Sequence, residues 1–301
     1  MKKSPVLIVA ATAVALGVIS FLVLYAASLL SGHKTTSASL PGVGADRVAL
    51  VRLEGLLVSA DALVEELNNY AEDSSIKAIV IRIDSPGGGV VVSQEIYNAV
   101  RNAKKEGKKI VASMGTVAAS GGYYVAAAAD KIVANPGTLT GSIGVKMEFA
   151  SVEKLLEKIG VRGMVVKAGE YKDIGSPFRD MTEQEKQLLQ AVIDDVHNQF
   201  IEAVAEGRQL PAADVRAIAD GRIFTGRQAL SLKLVDQLGD LAESIQVAGG
   251  LVGIKGKPKI VEKRKKIPFL EYLKEESAAW IADVVMGGFT RGAGSFQYVY
   301  R

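Results

Sequence analysis

The stretch AIVIRIDSPGGG, residues 78–89, indicates the fold more clearly than any other part of the chain. Its first six residues form a nearly continuous apolar run rich in β-branched side chains, which is typical of a strand buried on both faces in a parallel sheet. The three glycines let the chain turn, and a helical pattern follows over residues 91–106. This order predicts a strand, a turn and a covering helix.

The same alternation continues on both sides of this stretch. Strands are predicted over residues 48–53, 110–113 and 131–134, and helices over residues 60–70 and 121–129. Alternating strands and helices are typical of an α/β fold with repeated βαβ units and a parallel sheet covered by helices. Further along, Thr182 and Glu185 have the spacing of a capping box and predict a long helix that ends near Gly207.

The composition excludes several kinds of chemistry. The 301 residues contain no Cys, so cysteine proteases, thiolate metal sites and disulfide scaffolds are excluded, and no cofactor or metal is expected. Of the two histidines, His33 lies in a polar stretch and His197 is expected at a solvated helix position, so a Ser-His-Asp triad is not indicated. With 36 basic and 33 acidic residues, the charge balance favours peptide or small-molecule partners over nucleic acid.

The N-terminal segment predicts a membrane anchor. Lys2 and Lys3 precede an apolar run over residues 6–30, which as a helix would be about 37 Å long and could span a bilayer core of about 30 Å. We expect residues 1–31 to be an uncleaved transmembrane anchor, with a cleaved signal peptide as the alternative. The lysines predict a cytoplasmic N-terminus and an extracytoplasmic domain, joined by a linker over residues 32–46.

Two further segments carry candidate catalytic residues. In AASGGYY, residues 118–124, Ser120 follows a strand and precedes a helix, where it is either a helix N-cap or an accessible nucleophile beside a free backbone N–H. In KAGEYKDI, residues 167–174, Lys172 is either a surface lysine or a general base. A lysine acts as a base at neutral pH only when burial lowers the pKa of its ammonium group.

Taken together, these motifs resemble the signal peptide peptidase A family of the Clp protease/crotonase superfamily, in its short form with one catalytic domain. The resemblance spans about residues 48–239 and is carried by five motifs in order: DSPGGG at 84–89, ASGGYY at 119–124, LTGSIGV at 139–145, KDI at 172–174 followed by Ser176-Pro177, and ADGR at 219–222.

This resemblance implies a role for each candidate residue. Ser120 would be the nucleophile, Lys172 the general base, and Ser142 the hydroxyl that orients the lysine. The backbone N–H groups of Gly88 and Gly121 would form the oxyanion hole, although any of the three glycines at 87–89 is a candidate for the first donor. The short form also implies self-assembly into a homo-oligomeric ring, with a protease domain expected over residues 47–254.

The expected function is therefore an anchored Ser/Lys endopeptidase of the cytoplasmic membrane that degrades remnant signal peptides or similar extended apolar peptides. The chain lacks a Walker A motif, so ATP-driven unfolding is not expected. The alternatives are a related membrane Ser/Lys protease with another substrate, a crotonase-like acyl-CoA enzyme, and a non-catalytic membrane scaffold. A crotonase-like enzyme would require a catalytic carboxylate in place of the Ser/Lys pair.

The C-terminal region, residues 255–301, has three predicted parts. Residues 255–266 are strongly basic, and a solvated strand edge and turn is preferred over a site for anionic lipid. Apolar residues at helical spacing over 269–285 predict an amphipathic helix. The Gly-containing tail from Gly287 is expected to be flexible and to visit the substrate groove.

Overall fold

The computed structural model of the chain describes residues 47–263. The anchor and linker predicted over residues 1–46, and the helix and tail predicted beyond residue 263, lie outside the described residues. Between residues 47 and 263, none of the helices is both long enough and apolar enough to cross a membrane.

The strands of the described region form one sheet. They are β1 (Arg47–Leu57), β2 (Ile76–Gly88), β3 (Lys109–Ala119), β4 (Lys131–Ala134), β5 (Leu139–Gly141), β6 (Ile223–Thr225), β7 (Gln237–Leu238) and β8 (Lys259–Glu262).

Helices connect most of these strands. They are α1 (Asp61–Glu72), α2 (Val90–Lys105), α3 (Gly121–Ala127), α4 (Glu153–Lys158), α5 (Glu183–Arg208), α6 (Ala212–Ile218), α7 (Gly226–Ser231) and α8 (Leu241–Leu251).

The sheet is parallel except at one edge. Its main path runs β6-β5-β3-β2-β1-β8, while β4 pairs with β3 and β7 pairs with β4. The expectation of a parallel sheet is corrected at β6, which pairs antiparallel with β5. The β8 strand lies in the basic C-terminal region and adds to the free edge of β1, as the strand-edge interpretation predicts.

Both faces of the sheet are buried, as the continuous apolar strands predict. Alternate side chains of β1 and β2, such as Val51 and Ile81, face a large core built with α1, α2, α3 and the second half of α5. The intervening side chains, such as Leu50 and Val80, face a smaller core that includes Ala248 of α8.

The β3 strand divides between two partners, and this division positions Ser120. Residues 111–114 of β3 pair with β4, whereas residues 117–119 pair with β5. The second pairing brings the end of β3 alongside Gly141, and Ser120 N–H donates to Gly141 O at 2.9 Å. Ser120 and Ser142 therefore leave adjacent strands at the same edge of the sheet.

A long segment between β5 and α5 lies outside both cores. None of residues 146–182 is buried, and we call this segment the arm. It ends at the predicted capping box, which is confirmed: Glu185 N–H donates to Thr182 Oγ1 at 3.2 Å, and Thr182 N–H donates to the Glu185 carboxylate at 2.9 Å. Only the second half of α5 reaches the large core, through Phe200, Ile201 and Val204.

Candidate active site

A cavity of about 680 Å³ opens at the carboxyl ends of β2, β3 and β5 and is closed on one side by α5. Gly88, Ser120, Gly121 and Ser142 all line it. Four of the five residues expected in the active site therefore share one cavity. This position is the usual ligand site of an α/β sheet.

Ser120 occupies a strained junction between β3 and α3. Its backbone has φ 52° and ψ −121°, a conformation that residues other than glycine rarely adopt. Although Ser120 is at the N-cap position, its side chain makes no capping hydrogen bond. A sharp turn between a strand and a helix is a known way to expose a nucleophilic serine. The geometry favours the interpretation as a nucleophile over that as a helix cap.

The register of β2 distinguishes among the three candidate glycines. Gly87 N–H donates to Ser85 Oγ at 3.1 Å, and Gly89 N–H donates to Leu57 O of β1 at 2.9 Å. Successive N–H groups of an extended strand point to opposite edges. Because Gly89 N–H points to β1, Gly88 N–H points to the other edge, where β3 leads into Ser120. Gly88 is therefore the glycine best placed to donate into the cavity.

Two polar contacts hold this glycine segment against its neighbours. Ser85 is fully buried and donates to Gly55 O at 2.6 Å. The carboxylate of Asp84 accepts from Val117 N–H of β3 at 3.0 Å. Hydrogen bonds to a carboxylate are stronger than neutral ones, so this contact fixes the spacing between the ends of β2 and β3.

Gly121 supplies the second candidate donor. It is the first residue of α3, where backbone N–H groups have no partner within the helix. A Cβ on Gly87 would lie 2.6 Å from Gly121 N, so the two backbones approach more closely than a larger residue allows. Gly88 and Gly121, the two predicted oxyanion donors, thus line the same cavity as Ser120.

Ser142 is the second serine in the cavity with a positive φ, 50°. Its N–H donates to Arg222 O at 2.8 Å, and Gly221 N–H donates to Ile143 O at 3.1 Å. These contacts give the ADGR motif a structural role, because it holds the Ser142 loop from the far side.

Lys172 does not share the cavity with Ser120 in the described chain. It is exposed in a series of turns on the arm, and it is absent from the cavity lining. The fold therefore gathers Ser120, Ser142 and the two glycines predicted to form the oxyanion hole, but leaves Lys172, the predicted base, at the surface.

The sequence did not predict the contribution of α5 to the cavity wall. Gln190, Asp194 and His197 line the cavity from this helix, and Tyr124 lines it from α3. The expectation of a solvated His197 is corrected: the side chain is half-buried, and its Nε2 is buried without a hydrogen-bond partner among the described residues. Helical periodicity indicated the helix but not which of its turns reach the site.

Comparison with known proteins first gives the class of fold. The Clp protease family matches residues 56–138, which contain Gly88 and Ser120. The peptidase family S49 matches residues 102–255, which contain Ser120, Ser142 and Lys172. The chain belongs to peptidase family S49 and is a serine protease of that family.

Individual relatives agree with this assignment. The chain is 46% identical over 210 residues to a candidate protease of Synechocystis sp., a match that covers 69% of this chain and 75% of the relative. It is 36% identical to a candidate signal peptide peptidase SppA of Enterococcus faecium, covering 69% and 61% of the two chains. Identity to the chloroplastic serine protease SPPA of Arabidopsis thaliana is 35%, covering 72% and 34%. The match thus spans less than two thirds of the last two relatives.

Proposed function

We propose that this chain is an endopeptidase that uses Ser120 as nucleophile and Lys172 as general base, and that it cleaves extended apolar peptides such as remnant signal peptides. The observation that carries the proposal is the uncapped Ser120, which lines one cavity with Gly88 and Gly121, the two proposed backbone N–H donors. The base is proposed from the KDI motif at residues 172–174.

The proposed reaction proceeds in two stages. Ser120 Oγ attacks the peptide carbonyl carbon while its proton passes to the neutral amine of Lys172, and the N–H groups of Gly88 and Gly121 stabilise the oxyanion. The intermediate collapses to an acyl-enzyme, and the proton on Lys172 transfers to the departing amine. A water molecule, deprotonated by Lys172, then hydrolyses the ester and restores Ser120.

The cavity rim supports an apolar substrate. Leu56 and Val90 line the cavity beside Gly88 and are 64% and 38% exposed. Next to them, Val58 and Val91 are 77% and 63% exposed. Contiguous exposed apolar side chains commonly mark a binding surface. The name of the Enterococcus faecium relative supports signal peptides as the substrate class.

A neighbouring copy of the chain is proposed to supply the base. The arm that carries Lys172 has no buried residue. Two of its apolar side chains are strongly exposed, since Met164 is 93% exposed and Val166 is fully exposed. A segment of this composition becomes stable when it packs against another surface. We infer that in a homo-oligomeric ring the arm of one protomer covers its neighbour and brings Lys172 to the neighbour's Ser120.

The apolar run over residues 6–30 supports attachment to the cytoplasmic membrane, with the catalytic domain on the extracytoplasmic side. Signal peptides are released in that membrane, so anchor and proposed substrate agree.

Active-site labelling tests the catalytic proposal. A fluorophosphonate probe should label the purified full-length chain, and Ser120→Ala should abolish the label. Mapping the cut sites in a library of apolar peptides gives the substrate class. A chain that neither reacts with the probe nor cleaves any peptide would favour a non-catalytic scaffold.

A further inference from the structure

The ion cluster directly after Lys172 is the strongest feature that the proposed mechanism leaves unused. Arg179 Nε and Nη2 each donate to the Asp173 carboxylate at 2.9 Å, which is a two-pronged contact. Arg179 also donates through Nη1 to Glu185 at 2.8 Å, with a second contact from Nη2. One guanidinium thus joins the residue that follows Lys172 to the first turn of α5.

On the N-terminal side of Lys172, Lys167 makes two contacts that hold the turn. Its ammonium group donates to Glu170 O at 2.6 Å and also contacts the Asp173 carboxylate. Lys172 N–H in turn donates to Gly169 O at 3.3 Å. The turn that carries Lys172 is therefore held at both ends, although Lys172 itself is exposed.

The cluster is unusually sheltered for an otherwise exposed arm. The side chains of Asp173 and Glu185 are 13% and 4% exposed, and that of Arg179 is 28% exposed. Glu185 also completes the capping box with Thr182, so the cluster is attached to the first turn of α5. The same helix continues to the cavity wall at Asp194 and His197.

We propose that Arg179 is a positioning residue for Lys172, holding the base-bearing turn at a fixed place on α5. This inference rests on the proposed function, in which Lys172 is the general base. An arginine suits the role because its planar fork binds two carboxylates at once, whereas a lysine ammonium is a single point charge. A base displaced by about 1 Å costs on the order of 100-fold in rate.

The first experiment measures kcat and KM for Arg179→Ala, Arg179→Lys and Glu185→Gln in the full-length protein. Arg179→Ala should lower kcat about 10- to 100-fold with KM changed less than about twofold, because substrate is proposed to bind in the cavity, which Arg179 does not line. Arg179→Lys should lower kcat less than Arg179→Ala does. Glu185→Gln keeps a side chain that suits a capping box and removes the charge, so its loss of kcat reports the ion cluster alone. Arg101→Ala is the matched control, since Arg101 pairs with Glu206 at 2.7 Å on an exposed surface.

The second experiment mixes variant subunits after unfolding and reassembly. Subunits with Arg179→Ala carry an intact Ser120. If Arg179 positions Lys172 of its own chain, mixing them with Ser120→Ala subunits should restore full activity at about one quarter of interfaces, by random assembly. Mixing them with Lys172→Ala subunits should give no more activity than Arg179→Ala alone, since neither partner then supplies a positioned base.

The outcomes separate the two proposals. Normal kcat in Arg179→Ala and Glu185→Gln, with Lys172→Ala inactive, would overturn the positioning role and leave the base assignment intact. Rescue by Lys172→Ala subunits would place the effect of Arg179 on the Ser120 side and would also overturn it. Activity in Lys172→Ala itself would overturn the proposed base. If Arg179→Ala fails to assemble, Arg179→Lys and Glu185→Gln decide the matter.

Discussion

Two serines with positive φ line the same cavity, and the backbone N–H of each donates a hydrogen bond to a neighbouring segment. Residues in such conformations cost about 1 to 3 kcal/mol, and they persist where surrounding contacts fix them. Ser120 is fixed through Gly141 O and Ser142 through Arg222 O. Both serines line the cavity in these conformations.

At this scale we expect Ser120→Ala and Lys172→Ala each to abolish peptide hydrolysis, because nucleophile and base act as one unit. Ser142→Ala should leave a smaller residual rate, since it removes only an orienting hydroxyl. Initial rates on an apolar peptide would measure all three, and circular dichroism would check the fold. Near-normal activity in Lys172→Ala would show that another group is the base.

The sequence indicated these residues, but it did not indicate which of the three glycines at 87–89 is placed to donate into the cavity. Residues 87–89 are chemically identical, and the distinction comes from the register of β2 against β1, which places Gly89 N–H on Leu57 O. Register depends on pairing between strands, so a local pattern does not contain it. His197 was misjudged for a similar reason, because the turn of α5 that reaches the cavity depends on tertiary packing.

Among the elements, α3 is the short helix that directly follows Ser120, and one buried side chain secures it. Tyr123 is fully buried and donates its hydroxyl to Leu234 O at 2.9 Å, and burial raises the pKa of this phenol. The contact ties α3 to the turn before β7.

We predict that Tyr123→Phe lowers the free energy of unfolding by about 1 to 2 kcal/mol, because it leaves a buried carbonyl without its donor. Tyr97→Phe is a matched control, since the Tyr97 hydroxyl lies 3.5 Å from its acceptor, Ala203 O. Urea unfolding followed by circular dichroism measures both variants. Equal effects would mean that the Tyr123 hydrogen bond contributes no more to the free energy of unfolding than the longer Tyr97 contact does.

The junction of the arm and α5 should be sensitive to acid. Contacts with Arg179, supported by the Thr182 N–H, lower the pKa of Glu185 from 4.5 to about 2, and Arg179 with Lys167 lowers the pKa of Asp173. Depressed carboxyl pKa values stabilise the folded form above the unfolded pKa, and this stabilisation is lost as pH falls through the folded values. The junction should therefore weaken between about pH 4.5 and pH 2.

Hydrogen exchange in residues 167–186 over this pH range would measure the loss. Arg179→Ala should flatten the dependence on pH, since the carboxyl groups then titrate nearer their ordinary values. An unchanged profile in that variant would mean that the cluster contributes nothing to the order of the arm.

The elements themselves were largely predictable, and the exceptions have a physical cause. Continuous apolar runs gave the central strands, and the pair Thr182 and Glu185 gave the start of α5. Besides β5 and β7, the three-residue strand β6 was missed, because segments of two or three residues have no measurable periodicity. Its antiparallel pairing with β5 arises only after the chain returns from α6.

For the whole molecule, the central prediction is a site shared between protomers. When Ser120→Ala and Lys172→Ala subunits are unfolded, mixed equally and reassembled, about one quarter of interfaces should hold an intact Ser120 beside an intact Lys172. Each variant alone should stay inactive. Silence from a mixture shown by light scattering to be co-assembled would place the pair within one chain.

The proposed shared site makes catalysis depend on protein concentration. On that proposal a chain without neighbours keeps Ser120 and Lys172 apart and is inactive. Specific activity should then rise with protein concentration and fall on dilution, and covalent crosslinking of the assembled form should abolish that dependence. Specific activity that stays constant down to concentrations where the chains are monomeric would show that each chain is a complete enzyme.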